Sequence, residues 1–164
     1  MSANNPLLQS YDLPPFSAIR AEHVQPAIEQ ILADNRAAIA TILAEQGGNP
    51  GWNGLVLALD ELHERLSRTW SPVSHLNAVC NSSELRAAYE ACLPKLSEYW
   101  TELGQNRGLF EAYQALASGP AAAGFDVALG LQAIGYDLGA PDAAAWSFGL
   151  HYGGRLGGVA ELDP

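Results

Sequence analysis

The chain has 164 residues, 48% of them hydrophobic and 16% charged, with eight Lys and Arg against eighteen Asp and Glu for a net charge of −10. This length suffices for one domain with a real core, and the hydrophobic share is too high for a disordered tail. The acidic balance would repel a phosphate backbone and so excludes nucleic acid as an expected partner, and no run of 18 apolar residues offers a membrane span.

The N-terminal stretch MSANNPLLQSYDLPPF lacks a basic residue followed by an apolar core and does not read as a signal peptide. Cys80 and Cys92 are the only cysteines, and two thiols do not make a disulfide framework. Both features point to a reducing, cytoplasmic setting.

Pro6, Pro14 and Pro15 predict that the first sixteen residues are extended, within an N-terminal segment over 1–20, because proline fixes φ and pushes its predecessor out of the helical region. Val24, Ile28, Ile31, Leu32, Ile39, Ile42 and Leu43 then recur at steps of three and four, predicting an amphipathic helix over 22–45. Pro26 is expected in its first turn, and GGNPG at 47–51 ends it. Asn53 is expected to cap a second helix with the stripe Leu55, Leu59, Leu62 and Leu66, interrupted at Ser71-Pro72.

A third helix is expected from Asn81, where Asn81-Ser82-Ser83-Glu84 resembles a capping box. Its stripe runs Leu85, Tyr89, Cys92, Leu96, Tyr99 and Leu103, with a bend at Pro94. Asn106 opens a last helix carrying Leu109, Phe110, Tyr113 and Leu116. The expected fold of residues 21–118 is therefore all-α, an antiparallel assembly of amphipathic helices joined by short turns. No period of 20–50 residues repeats, so a solenoid is not indicated.

Composition breaks near residue 118. Residues 119–164 hold ten of the sixteen glycines and one Arg, and each glycine weakens a regular element by roughly 0.5–1 kcal/mol relative to Ala. This tail is expected to be irregular. Its GRLGGVAEL stretch is not a phosphate loop, having neither G-x-G-x-x-G after a strand nor GKS/T.

The candidate chemistry is sparse. His63-Glu64-Arg65-Leu66-Ser67 begins like the zinc motif H-E-x-x-H but places Ser67 where the second imidazole belongs, so an obligatory ligand is missing. His23, His75 and His151 lie in separate segments without metal spacing. His63 reads as a boundary residue of an amphipathic helix with Glu64 and Arg65 facing water. His75, among Ser71, Ser74 and Asn77, suggests a Ser–His pair. Nucleophilic catalysis also needs an orienting acid and an oxyanion hole, and neither has a sequence mark. Turn and cap hydrogen bonds are the expected use of those hydroxyls. Cys80 has no basic cluster beside it, so a reactive thiol is not expected. Tyr89, Tyr99, Trp100, Phe110 and Tyr113 fall mostly at core spacing, with Trp100 or a tyrosine as a candidate groove residue. No catalytic, cofactor-binding or metal-binding residue is assigned.

The ordered string is more specific than any motif. NPLL, LPPFSAIRAEHVQPAIEQIL and SPVSHLNAVCNSSELRAAYEACLPKLSEYWTELGQNRGLFEAYQAL resemble, in order over residues 5–118, the N-terminal region of the thimet oligopeptidase and neurolysin family of zinc metallopeptidases. The resemblance implies a mostly helical two-lobed enzyme with a deep channel for short peptides. Its zinc is held by an HExxH helix and a later Glu in the C-terminal half, where a metal-bound water attacks the scissile carbonyl. No position of this chain matches that motif, so the resemblance implies a channel-wall region that is inactive alone and lacks its C-terminal catalytic partner.

After Phe125-Asp126 the string departs from the polar, lysine-bearing helix of the family; a reading-frame break near codons 124–130 is the expected cause, with a gene-model error or a diverged short form as the alternatives. The competing expectation is a free-standing helical interaction module. Helices severed from an enzyme would also expose apolar stripes and self-associate.

Overall fold

A computed structural model describes residues 5–46 and 48–119, and every structural statement below concerns these residues. The expectations for the Gly-rich tail, including His151 and residues 120–164, lie outside them. Among the described residues there are four α-helices and no strand: α1 (Ala21–Gln46), α2 (Ala58–Val79), α3 (Ser83–Gly104) and α4 (Arg107–Ser118). The all-α expectation holds.

Each helix start follows from a specific donor or acceptor. At α1 the Arg20 N–H donates to His23 Nδ1 (3.1 Å) while the His23 N–H donates to the Arg20 carbonyl (3.0 Å). The imidazole thus reaches back as a capping-box carboxylate would. Pro26 falls in the second turn rather than the first. The carbonyl four residues earlier, on exposed Glu22, is left to other donors such as water. At α3 the cap is Ser82, whose Oγ accepts from the Leu85 N–H (3.2 Å), one residue later than Asn81 was expected to act. At α4 Asn106 caps as expected, accepting from the Leu109 N–H (3.1 Å).

The second helix departs most from expectation. Asn53 does not cap it but lies inside a π-helical turn, Asn53–Leu57, in which the Ala58 N–H reaches the Asn53 carbonyl. Gly51 provides the first acceptor, its carbonyl taking the Leu55 N–H (2.9 Å), and its own N–H donates to Gln46 Oε1 (3.1 Å). The Gln46 amide lies across Gly54, where a Cβ would come within 2.5 Å of it. Ser71-Pro72 does not interrupt the helix, which continues to Val79. Proline removes the bond to the carbonyl four residues back, that of Arg68. The hydroxyl of Tyr11 donates to that carbonyl instead.

The N-terminal segment is correspondingly less extended than its prolines imply. It makes two short 3₁₀ turns, Pro6–Leu8 and Phe16–Ala18, and is fixed to the bundle. Asn5 caps the first turn and donates through Nδ2 to the His23 carbonyl (2.8 Å), Leu7 is buried, and its carbonyl accepts from Thr69 Oγ1 (3.3 Å).

Helix directions follow from cross-helix contacts. Asp34 and Asn35 of α1 meet Arg65 and Leu62 of α2, so these two run antiparallel. Trp70 and His63 of α2 face Tyr89 and Trp100 of α3, again antiparallel. Glu29, Asn35 and Arg36 of α1 meet Lys95, Tyr99 and Glu102 of α3 in ascending order, so α1 and α3 are parallel. The helix α2 is thus antiparallel to both its neighbours in the chain, as short connections require, and α1 contacts the other three. The core is built from the faces predicted by periodicity, with Ile28, Leu55, Leu66, Tyr99, Leu109 and Leu116 fully buried.

Candidate functional site

His63 occupies the boundary between α2 and α3. Its ring lies 5.2 Å from that of Trp100, and burial lowers its pKa, with Asp60 one turn earlier opposing that shift. Glu64 is exposed, and Arg65 is committed to Asp34 (3.2 Å). Ser67 Oγ lies 3.5 Å from Ser71 Oγ. The H-E pair of HERLS is thus divided between an aromatic contact and solvent.

The SPVSH stretch lies on the C-terminal half of α2 rather than in a turn. His75 contacts the ring of Phe16 at 5.3 Å. Twelve residues of helix separate it from His63, about 18 Å of rise at 1.5 Å per residue. Among the described residues the hydrogen bonding here joins serine to serine, not serine to imidazole. Asn77 Oδ1 is buried without a hydrogen-bond partner among the described residues. Cys80 is exposed at the end of α2, while burial raises the Cys92 thiol to about 11.

The aromatic residues are mostly core, as their spacing predicts. Trp70 stacks on Tyr89 at 4.7 Å and 15°, and Tyr99 meets Trp100 edge-on at 5.1 Å. The Tyr99 hydroxyl accepts from Asn35 Nδ2 (3.3 Å), which also donates to the Leu62 carbonyl (3.2 Å). Asn35 is fully buried, and this link among α1, α2 and α3 had no signal in the sequence beyond one polar residue on an apolar stripe. The Tyr11–Arg68 contact was also missed, since no local pattern connects residues 57 positions apart.

The zinc implied by the family resemblance finds no ligand set here. Among the described residues, no group of three or more His, Cys, Asp or Glu side chains could hold a metal ion. His23 Nδ1 is used in capping, His63 faces Trp100 and His75 faces Phe16. No described helix is long and apolar enough to cross a membrane. The described residues define an all-α domain whose polar groups serve caps and interhelical ties.

Known sequences place that domain. The family model of the neurolysin and thimet oligopeptidase N-terminal domain matches residues 28–130. Oligopeptidase A of Haemophilus influenzae is 48% identical over 128 residues, 78% of this chain but 18% of its own length. Oligopeptidase A of Escherichia coli is 50% identical over 115 residues, 70% of this chain and 17% of its own. Dipeptidyl carboxypeptidase of E. coli is 32% identical over 120 residues, 71% and 18% respectively. The chain belongs to the neurolysin and thimet oligopeptidase family, as its N-terminal part, and spans less than a fifth of the length of these curated relatives.

Proposed function

We propose that this chain is the N-terminal, non-catalytic part of a cytoplasmic zinc-dependent oligopeptidase that hydrolyses short peptides. Its helices form part of the wall of the peptide channel. The HExxH helix, the zinc and the activated water belong to a catalytic region outside these residues. The observation that carries the proposal is the 48% identity to an oligopeptidase A across 78% of the chain. The commitment of His23, His63 and His75 to capping and ring contacts supports a structural rather than a chemical share in the reaction.

The test for the isolated chain is metal analysis combined with cleavage of an internally quenched peptide. The expected result is no stoichiometric zinc and no chelator-sensitive turnover. One tightly bound zinc per chain with chelator-sensitive cleavage would overturn the proposal.

A further inference from the structure

The N-terminal segment holds large apolar side chains outward on a fixed support. Tyr11 is locked at one point, its hydroxyl donating to the Arg68 carbonyl while the Arg68 guanidinium donates to the Tyr11 carbonyl and lies 5.0 Å over its ring. Phe16 is held at a second, against His75. Arg68 and His75 lie on the same helix, so residues 11–16 run along its C-terminal half. Between the two anchors Leu13 is 82% exposed. Val79, one turn beyond His75 on the same face of α2, is 61% exposed, and Phe16 is 39% exposed.

Single exposed leucines are ordinary on protein surfaces. This one is flanked by proline and pinned on both sides, and it shares an end of the bundle with a second aliphatic and an aromatic side chain. Preorganised apolar groups of this kind suit a permanent interface.

We infer that Leu13, Phe16 and Val79 form the surface on which the remainder of the oligopeptidase packs, through an apolar face of its own. The inference rests on the proposed function for its occupant. Family relatives carry more than four-fifths of their length beyond the matched segment, and that mass must meet this bundle somewhere. None of its three residues belongs to the polar belt, where Glu29, Asp34, Arg36, Arg65, Lys95 and Glu102 satisfy one another in ion pairs.

The test uses two proteins: the full chain, and E. coli oligopeptidase A with residues 5–118 of this chain in place of its own corresponding segment. Both carry Cys80→Ser and Val79→Cys, and alkylation of the new thiol is followed by peptide mass spectrometry, with buried Cys92 as the slow reference. The expected result is alkylation at least about tenfold slower in the chimaera than in the isolated chain. In the otherwise unmodified chimaera, Leu13→Glu with Val79→Glu lowers the melting temperature, whereas Leu93→Glu, at an exposed leucine of α3, does not; neither change alters the melting of the isolated chain.

Equal alkylation rates in the folded chimaera and the isolated chain would overturn the inference. So would protection of the isolated chain that disappears on dilution, which assigns the surface to a second copy, or protection of the chimaera only under saturating peptide, which assigns it to substrate. A folded chimaera that protects the thiol yet cleaves no peptide supports the surface while removing the proposed function, so the two fail separately.

Discussion

Tyr11 illustrates how one side chain decides whether a proline breaks a helix. Pro72 leaves the Arg68 carbonyl without its helical donor, and the Tyr11 hydroxyl supplies the missing bond from 57 positions away. Tyr11→Phe should therefore destabilise the chain by about 0.5–1 kcal/mol, the net worth of a partly exposed hydrogen bond. In a Pro72→Ala background, where residue 72 regains its N–H, the same substitution should cost measurably less. Urea unfolding of the four proteins gives the coupling directly, and strictly additive effects would disprove the repair.

His63 provides a second test at this scale. Burial against Trp100 lowers its pKa in the folded chain, so the unfolded chain binds the proton first as pH falls. Its neutral form favours folding fully above the unfolded value of about 6.5, and that contribution is lost progressively as pH drops from there toward the depressed folded value. His63→Phe should reduce the loss of stability between pH 7 and pH 5.5, measured by denaturant midpoints. An unchanged pH profile would contradict this account.

Among the elements, the helices and their buried faces were legible because apolar residues recur with the helical period, and α1 matched its expected span to within one residue at each end. Their N-caps were legible only where one candidate acts alone. Asn106 satisfied that condition, whereas Asn81 and Ser82 competed and the backbone chose Ser82. Ser82→Ala should cost about 1 kcal/mol of stability, as a lost N-cap does, and Asn81→Ala close to none. Thermal or urea unfolding that reversed this order would restore the capping box read from Asn81.

Asn53 was misread because the turn before α2 is π-helical and its first acceptor is Gly51, a backbone group with no side-chain signature. Pro72 was misread because the hydroxyl that supplies its missing bond comes from a distant segment.

For the molecule as a whole, periodicity showed which residues turn inward but not which helix they meet. The parallel pairing of α1 with α3 is marked by Asn35 reaching Tyr99 and by Arg36 gripping Glu102 with two bonds of 2.7 and 3.0 Å, all non-local facts. The ion pair lies at the surface, where it is worth about 0–1 kcal/mol. Ile28 is fully buried in α1, and Ile28→Ala should cost about 2–5 kcal/mol. The proposed supporting role rests on resemblance alone, because a channel wall needs no particular reactive residue and leaves no motif to read.

The central claim is that this bundle does the work of an oligopeptidase N-terminal domain while contributing no catalytic group. The most direct measurement is kcat/KM for a quenched short peptide in the E. coli oligopeptidase A chimaera carrying residues 5–118, beside the isolated chain. The account predicts a chimaera within about tenfold of its parent, about 1.4 kcal/mol of transition-state stabilisation, and an isolated chain with no activity. A folded, metal-loaded chimaera that cleaves nothing, or an isolated chain that turns over peptide, would contradict it.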